Sequence, residues 1–385
     1  MFPRLLEPVI RSWLDRKKAI ILIGPRQVGK TTLIEQITTR LGRDTMWLTG
    51  DDPATRTLLE NISLARLKAV IGQQEVVVVD EAQRLHNAGL TLKLITDHLP
   101  NVQLLVTGSS SLDLAAEIKE SLVGRKREFR LFPLSFVEMS DYHGYLAERS
   151  LLEHRMIFGY YPEVVKSDLR HAQNVLADLS DGLMYKDLLA LDQIKKPSLL
   201  VKLLQALALQ LGNEVSYNEV AQLVGADPQT IERYIDLLEQ TFVLFRLPSI
   251  SRNARNEIKK GRKIYFYDNG IRNSIIKNFN PLDLRQDTGA LWENFLLAER
   301  RKRNSYTDLN YNSFFWRTTT QQEIDYVEEF DGKLHAFEFK WRVGKVRVPQ
   351  SFIKAYPNSE FSVITPENFD DFIGQEDRPP TATTP

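Results

Sequence analysis

The sequence contains no cysteine, which excludes disulfides, thiol nucleophiles and cysteine-ligated zinc or iron–sulfur clusters. It carries no net charge, with 50 Lys and Arg against 50 Asp and Glu. The uniform positive field of a histone-like or polybasic membrane-binding protein is therefore absent, and any nucleic-acid surface must be local. No uninterrupted apolar run reaches the roughly 18 residues that a membrane span requires. The opening stretch MFPRLLEPVIRSWLDRKK lacks the apolar core of a signal peptide. A cytoplasmic chain with no membrane partner is the expectation. Internal repeats are absent, and only the tail 376–385, ending RPPTATTP, reads as disordered. What remains is ordinary globular material: 43% hydrophobic and 26% charged residues over a length of 385. Domains of roughly 100–200 residues make such a chain a multi-domain protein.

From Ala19 to about Leu131, β-rich runs alternate with helical patterns: AIILIG, TMWLTG, EVVVVD, QLLVTG and EFRLF. That alternation predicts βαβ units and an α/β fold with a mostly parallel sheet. The runs at 20–23 and 76–79 are apolar at every position, as strands buried on both faces must be. The expected order is a P-loop domain over 1–140, an α-helical connector over 141–210, a winged helix-turn-helix region over 211–280 and a small α/β domain over 281–375.

Residues 24–31, Gly24, Pro25, Arg26, Gln27, Val28, Gly29, Lys30 and Thr31, fill the pattern G-x-x-x-x-G-K-[ST] between a strand and a helix that begins with Thr32. Backbone N–H groups of such a loop cradle phosphates, Lys30 reaches the β- and γ-phosphates, and the Thr31 hydroxyl coordinates Mg2+. ATP and Mg2+ are the expected ligands. Asp80 and Glu81 end an apolar strand, where carboxylates are costly without a cation or hydrogen bonds. Asp80 is expected to hold the metal and Glu81 to deprotonate the attacking water, on a strand neighbouring the one before the loop; two acids opening a loop is the plainer alternative. Thr107 or Ser109, ending a further strand, can carry a hydroxyl toward the γ-phosphate. Arg125 and Arg127 precede the last strand of the domain, either as an arginine finger for a neighbouring subunit or as solvated cations. A finger implies a homo-oligomer, with a ring as one arrangement.

Farther on, Ser216 with Glu219 forms a capping box and Asp227 with Pro228 an N-cap, with Gly225 in the turn between the two helices. Strand-like FVLFRLP and KIYFY follow, which makes a winged helix-turn-helix. The bend SRNARNEIKKGRK holds Arg252, Arg255, Lys259, Lys260, Arg262 and Lys263 against one acid, Glu257. Together with Gln229, Thr230 and Arg233 on the second helix, this local positive patch makes DNA an expected partner; a protein-docking module is the alternative.

The motifs GPRQVGKTTL, VVVVDEAQR, LLVTGSSS and SLVGRKREFRLFPLSFVEM, followed by YFYDNGIRN, ALWENF, QEIDYV and FEFKW, resemble the AAA+ superfamily. Within it they resemble the bacterial and archaeal P-loop ATPases that carry a DUF4143 domain. The resemblance spans nearly the whole chain and implies an ATPase core, a winged-helix region and a nuclease-like segment. Glu293 lies in a helical run, Asp325 in one strand, and Glu338 and Lys340 on one face of another, across a hairpin tip DGK. Carboxylates so gathered can hold Mg2+ beside a supporting lysine. The set resembles the PD-(D/E)XK nuclease core, particularly that of Holliday-junction resolvases, which implies a second metal site at Glu293, Asp325 and Glu338; an exposed Glu–Lys pair on a sheet is the structural alternative. Two functions follow: an ATPase coupled to DNA engagement, or a nucleotide-controlled protein-binding scaffold with a catalytically dead nuclease-like domain.

Overall fold

The apolar runs that follow Lys18 become five strands in the computed structural model: β1 (Ala19–Ile23), β2 (Thr45–Thr49), β3 (Val76–Asp80), β4 (Gln103–Gly108) and β5 (Lys126–Arg130). The structure describes residues 1–109, 121–182, 196–250 and 261–374, apart from 308, 310, 319, 343 and 345–347. The strands form one sheet in the order β2-β3-β4-β1-β5, and every pairing is parallel. The chain divides into two units, Met1–Leu134 with Gln240–Phe242 and Ser135–Glu239 with Val243–Pro385.

In the first unit, helices α1 (Leu6–Arg11), α2 (Lys30–Leu41), α3 (Pro53–Leu59), α4 (Leu64–Ile71) and α5 (Ala88–His98) accompany the sheet. Their ends follow from side-chain chemistry: Asp52 caps α3 ahead of Pro53, and the Ser63 hydroxyl caps α4. Ile21, Val77, Val79, Leu92, Ile95 and Val106 build the core between helices and sheet. The order corrects one expectation. β3, which carries Asp80, does not neighbour β1; β4 lies between them. Sequence separation measures the length of a crossover, not the lateral place where its strand lands. The consequence is that β4 delivers Thr107 between the phosphate loop and Asp80.

The second unit begins with helices α6 (Phe136–His143), α7 (Tyr145–Ser150), α8 (Leu152–Phe158), α9 (Pro162–Lys166), α10 (Leu169–Gly182) and α11 (Pro197–Leu209). Two more, α12 (Tyr217–Val224) and α13 (Pro228–Gln240), start as their caps require: the Ser216 hydroxyl accepts from Glu219 N at 3.4 Å and Asp227 Oδ1 from Thr230 N at 2.8 Å. Gly225 between them takes a left-handed φ of 74°. An antiparallel ladder follows, β6 (Leu244–Pro248) with β7 (Arg262–Phe266). Helices α14 (Asn269–Ile275) and α15 (Thr288–Ser305) lead to strands β8 (Asn312–Arg317), β9 (Glu323–Phe330) and β10 (Lys333–Phe339). Helix α16 (Gln350–Ala355), strand β11 (Glu360–Ile364) and helix α17 (Phe369–Ile373) complete it. The four strands β8 to β11 form a mixed sheet in which only β10 and β11 are parallel. Asp331 and Gly332, at φ 50° and 73°, turn β9 into β10 as a two-residue hairpin.

The motif YDNGIRN is a scaffold in this unit. Asp268 accepts from Tyr160 N at 2.7 Å and from Ile271 N at 3.1 Å, which caps α14. Asn269 donates to the carbonyls of Met156 and Leu291, and Arg272 to that of Ala208 at 2.8 Å. Gly159 stands so close that a Cβ there would lie 2.0 Å from Asp268 Oδ1. These buried polar groups find partners in backbone and in the side chains of Asn294, Asn273 and Asp287, as their burial demands. The disordered tail expected at 376–385 lies outside the described residues.

Candidate functional site

The phosphate loop leaves β1 at Ile23 and enters α2 at Lys30. Gly24 must be glycine, since a Cβ there would stand 2.1 Å from the Leu131 carbonyl oxygen. Gly29 at φ 93° turns the chain into the helix, and Gln27 also takes a left-handed φ of 60°. Val28 is buried and fixes the loop, while Gln27 and Thr32 are exposed. Lys30, only 5% exposed, donates to the carbonyls of Gly24 at 3.0 Å and Pro25 at 2.8 Å. The Thr31 hydroxyl meets both Asp80 carboxylate oxygens at 3.1 and 3.2 Å. Thr107 Oγ1 donates to Asp80 Oδ1 and accepts from Glu81 N at 3.2 Å. Thus a hydroxyl and a carboxylate converge at the carboxyl ends of β3 and β4 beside an ammonium and a helix N-terminus. That is where open parallel sheets bind ligands, and the oxygen donor set suits a hard divalent cation.

Residues 16–140 match the AAA domain family, residues 149–282 a domain of unknown function (DUF8612) and residues 288–378 a second domain of unknown function (DUF4143). The first unit carries an AAA-type P-loop ATPase domain. An uncharacterized protein of Mycobacterium tuberculosis is 28% identical over 340 residues, 86% of this chain and 72% of its own length. An uncharacterized protein of Methanocaldococcus jannaschii is 23% identical over 330 residues, 80% of this chain and 72% of its own. Among solved structures, the Walker-type ATPase of Pyrococcus abyssi aligns at 15% identity with a TM-score of 0.48, over 72% of this chain and 96% of that one.

Within the AAA domain, Glu81 sits at the exit of β3 with a left-handed φ of 49°. Ser109 is buried just after β4 and accepts from Gln83 Nε2 at 2.8 Å. Arg4 was not signalled by any motif, yet it braces the loop by donating to the Val28 carbonyl at 2.9 Å and to that of Phe132 at 2.6 Å. Arg26, the loop's own arginine, is half-buried. Arg125 is exposed and ion-paired with Asp97, whereas Arg127 stacks on the Trp13 ring at 4.4 Å. Of the two, Arg125 has the guanidinium that another molecule can reach.

The C-terminal cluster of the second unit gathers around a residue of a different kind. The β9–β10 register places Phe337 opposite Tyr326, which brings Glu338 beside Asp325. Asp325 accepts from Phe339 N at 2.8 Å, and Lys340 donates to Glu338 at 2.7 Å. Lys263, 2% exposed on β7, sends its ammonium to Glu293 Oε1 at 3.1 Å and Glu323 Oε1 at 2.5 Å. The Tyr265 hydroxyl also donates to Glu293. Burial pushes the Glu293 carboxyl up to about 7, against the pull of Lys263 and with a further push from Asp325. Burial raises Asp325 and Glu338 as well, and for Glu338 the neighbouring Asp325 adds to the effect. Lys263 is raised despite its burial because Glu293, Asp325 and Glu323 surround it.

Lys263 was expected in the solvated basic bend, and the structure corrects this: β7 is buried from Lys263 to Phe266, and the Lys263 ammonium lies inside among carboxylates. Arg262 faces out, stacked on Tyr217 at 4.3 Å and 3.5 Å from Glu232. Arg252, Arg255, Glu257, Lys259 and Lys260 lie outside the described residues. Among the described residues no three Asp, Glu or His side chains are arranged to hold a metal ion, and no helix is long and apolar enough to cross a membrane.

Proposed function

We propose that this chain hydrolyses ATP in the AAA domain, in a Mg2+-dependent reaction. The observation that carries this reading is the convergence of Thr31, Asp80 and Thr107 beside Lys30 and Glu81. Thr31 and Asp80 would hold the ion, which when bound neutralises charge on the phosphates. Glu81 accepts a proton from water while the water oxygen bonds to the γ-phosphorus and the bridging oxygen leaves with ADP. Lys30 stabilises the charge on the transferring phosphoryl group. Replacing Glu81 with Gln is expected to leave ATP affinity intact and to slow turnover roughly 10²–10⁴-fold, the contribution of a general base. Calorimetry alongside a phosphate-release assay separates the two effects, and weakened binding in Glu81→Gln would remove the base from this role.

Hydrolysis is further proposed to need a homo-oligomer in which Arg125 of one copy enters the site of the next. The exposed Arg125 guanidinium, held by a half-exposed pairing with Asp97 and a long bond to the Val123 carbonyl, supports this. Mixing Arg125→Ala with Lys30→Ala chains should recover activity that neither has alone. No recovery from the mixture would make Arg125 a surface cation.

The downstream half is proposed to engage DNA through α12, α13 and the basic bend after β6. A second reading, a nucleotide-controlled scaffold with an inactive nuclease-like domain, is favoured by one observation: Lys263 already pairs with Glu293, one of the three carboxylates that would hold a metal. DNA affinity that falls steeply with salt supports the first reading, and absence of duplex binding supports the second.

A further inference from the structure

The left-handed φ of 49° at Glu81 turns the chain out of β3 into the short helical turn Ala82–Arg84. Such a backbone is strained for a non-glycine residue and persists where its surroundings enforce it. Here the enforcement is visible, because Glu81 N bonds to Thr107 Oγ1 at 3.2 Å. The turn brings the Gln83 side chain back against Glu81. Its Nε2 donates to Glu81 Oε2 and, at 2.8 Å, to Ser109 Oγ. Both amide protons are thereby used, one on the carboxylate and one on the hydroxyl after β4. The amide cannot be reversed without setting two acceptors, Gln83 Oε1 and the Glu81 carboxylate, against each other, so the network fixes its orientation.

Gln83 Oε1 is then shut off from solvent and has no hydrogen-bond partner among the described residues. An unsatisfied buried acceptor is destabilising, and it is retained here beside the Glu81 carboxylate. The observed contacts lie on the other end of the amide: its nitrogen bridges the Glu81 carboxylate and the Ser109 hydroxyl, which fixes where the carboxylate stands to take a proton from water.

We propose that Gln83 is a positioning residue for hydrolysis: its Nε2 ties the Glu81 carboxylate to the Ser109 hydroxyl and so aims that carboxylate at the attacking water. This rests on the ATP-hydrolysis reading above. The bonds that form and break are those already given, and Gln83 is unchanged by the reaction.

The test uses the full chain, with Gln83→Ala, Gln83→Leu, Glu81→Gln and the double variant Gln83→Ala/Glu81→Gln. Gln83→Leu keeps the volume under the turn and guards against a loss that is only packing. Both single Gln83 variants should lower kcat roughly 10- to 100-fold, the range for a misplaced reacting group. KM, the calorimetric Kd for a non-hydrolysable ATP analogue with Mg2+, and the melting temperature should stay near wild type. In the Glu81→Gln background, adding Gln83→Ala should cost nothing further, because the two act as one unit. An unchanged kcat overturns the proposal, as does an equal loss in both backgrounds or a loss explained by weaker analogue binding. A wild-type chain that binds the analogue but releases no phosphate from ATP overturns the hydrolysis reading first and separately, before any Gln83 variant is compared.

Discussion

Lys30→Ala should abolish ATP binding at concentrations that saturate the wild type, and turnover with it. The Lys30 ammonium is buried within the loop, held by the Gly24 and Pro25 carbonyls at 3.0 and 2.8 Å. An incoming phosphate exchanges those neutral acceptors for charged ones, and a hydrogen bond to a charged group is worth about 1.5–3 kcal/mol net. In turnover the loss is larger, because charge grows on the transferring phosphoryl group as the reaction proceeds. Removing one preorganised donor from such a site typically costs about 10²–10³ in kcat. Thr31, Asp80 and Thr107 hold one another independently of Lys30, so the AAA domain should keep its fold. Calorimetry with ATP and a thermal melt of the same variant check both halves of the expectation. Equal ATP affinity in Lys30→Ala and wild type would take away the basis of the nucleotide site.

The AAA domain was legible because its determinants are local. A buried strand, a glycine that tolerates no Cβ and a lysine at the helix start must sit in consecutive positions, so the string GPRQVGKT carries most of its own geometry. Four strands stand where the apolar runs put them, and the fifth, β5, starts two residues before the run EFRLF and so takes in Arg127. Strand order was not legible, because β4 between β1 and β3 is a choice among crossovers of similar length. Gln83 was missed for a related reason: it sits inside the quoted motif VVVVDEAQR, but its contact with Glu81 exists only because Glu81 takes a left-handed φ. The motif YDNGIRN gave a resemblance without chemistry, since Asp268, Asn269 and Arg272 spend their polar groups on backbone and on the side chains of Asn294, Asn273 and Asp287. In the C-terminal cluster, Glu293, Asp325, Glu338 and Lys340 could be gathered from strand alternation and a hairpin tip. Lys263 comes from β7, 30 positions before Glu293. A basic run in sequence gives no sign of which of its cations turns inward.

Lys263→Met should destabilise the second unit by about 3–5 kcal/mol, the usual consequence of removing one partner of a buried ion pair. Methionine fills most of the volume, so the loss reports the charge: Glu293 and Glu323 would face each other without the ammonium that separates them. The pH dependence follows from the Glu293 carboxyl, raised from 4.5 to about 7. Between those values the folded chain keeps a proton that the unfolded chain has released, so wild-type stability falls as pH rises from about 4.5 through about 7. Glu293→Gln should flatten that fall. Lys263→Met should extend it to higher pH, because the cation that restrains the Glu293 shift is gone. Divalent ions give the decisive comparison. With Lys263 in place, Mn2+ has to displace a buried ammonium, and the wild-type melting temperature should not move. In Lys263→Met, Glu293 and Glu323 lose the ammonium paired with them, and Mn2+ should recover part of the lost stability by binding the folded state alone. Denaturant melts followed by the fluorescence of Trp292 and Trp316, both buried in this unit, report on it directly. A Mn2+-dependent rise in the wild type, abolished by Asp325→Ala, would reverse the reading: the cluster would then be a working metal site that Lys263 supports, and DNA cleavage would regain its place among the chain's activities.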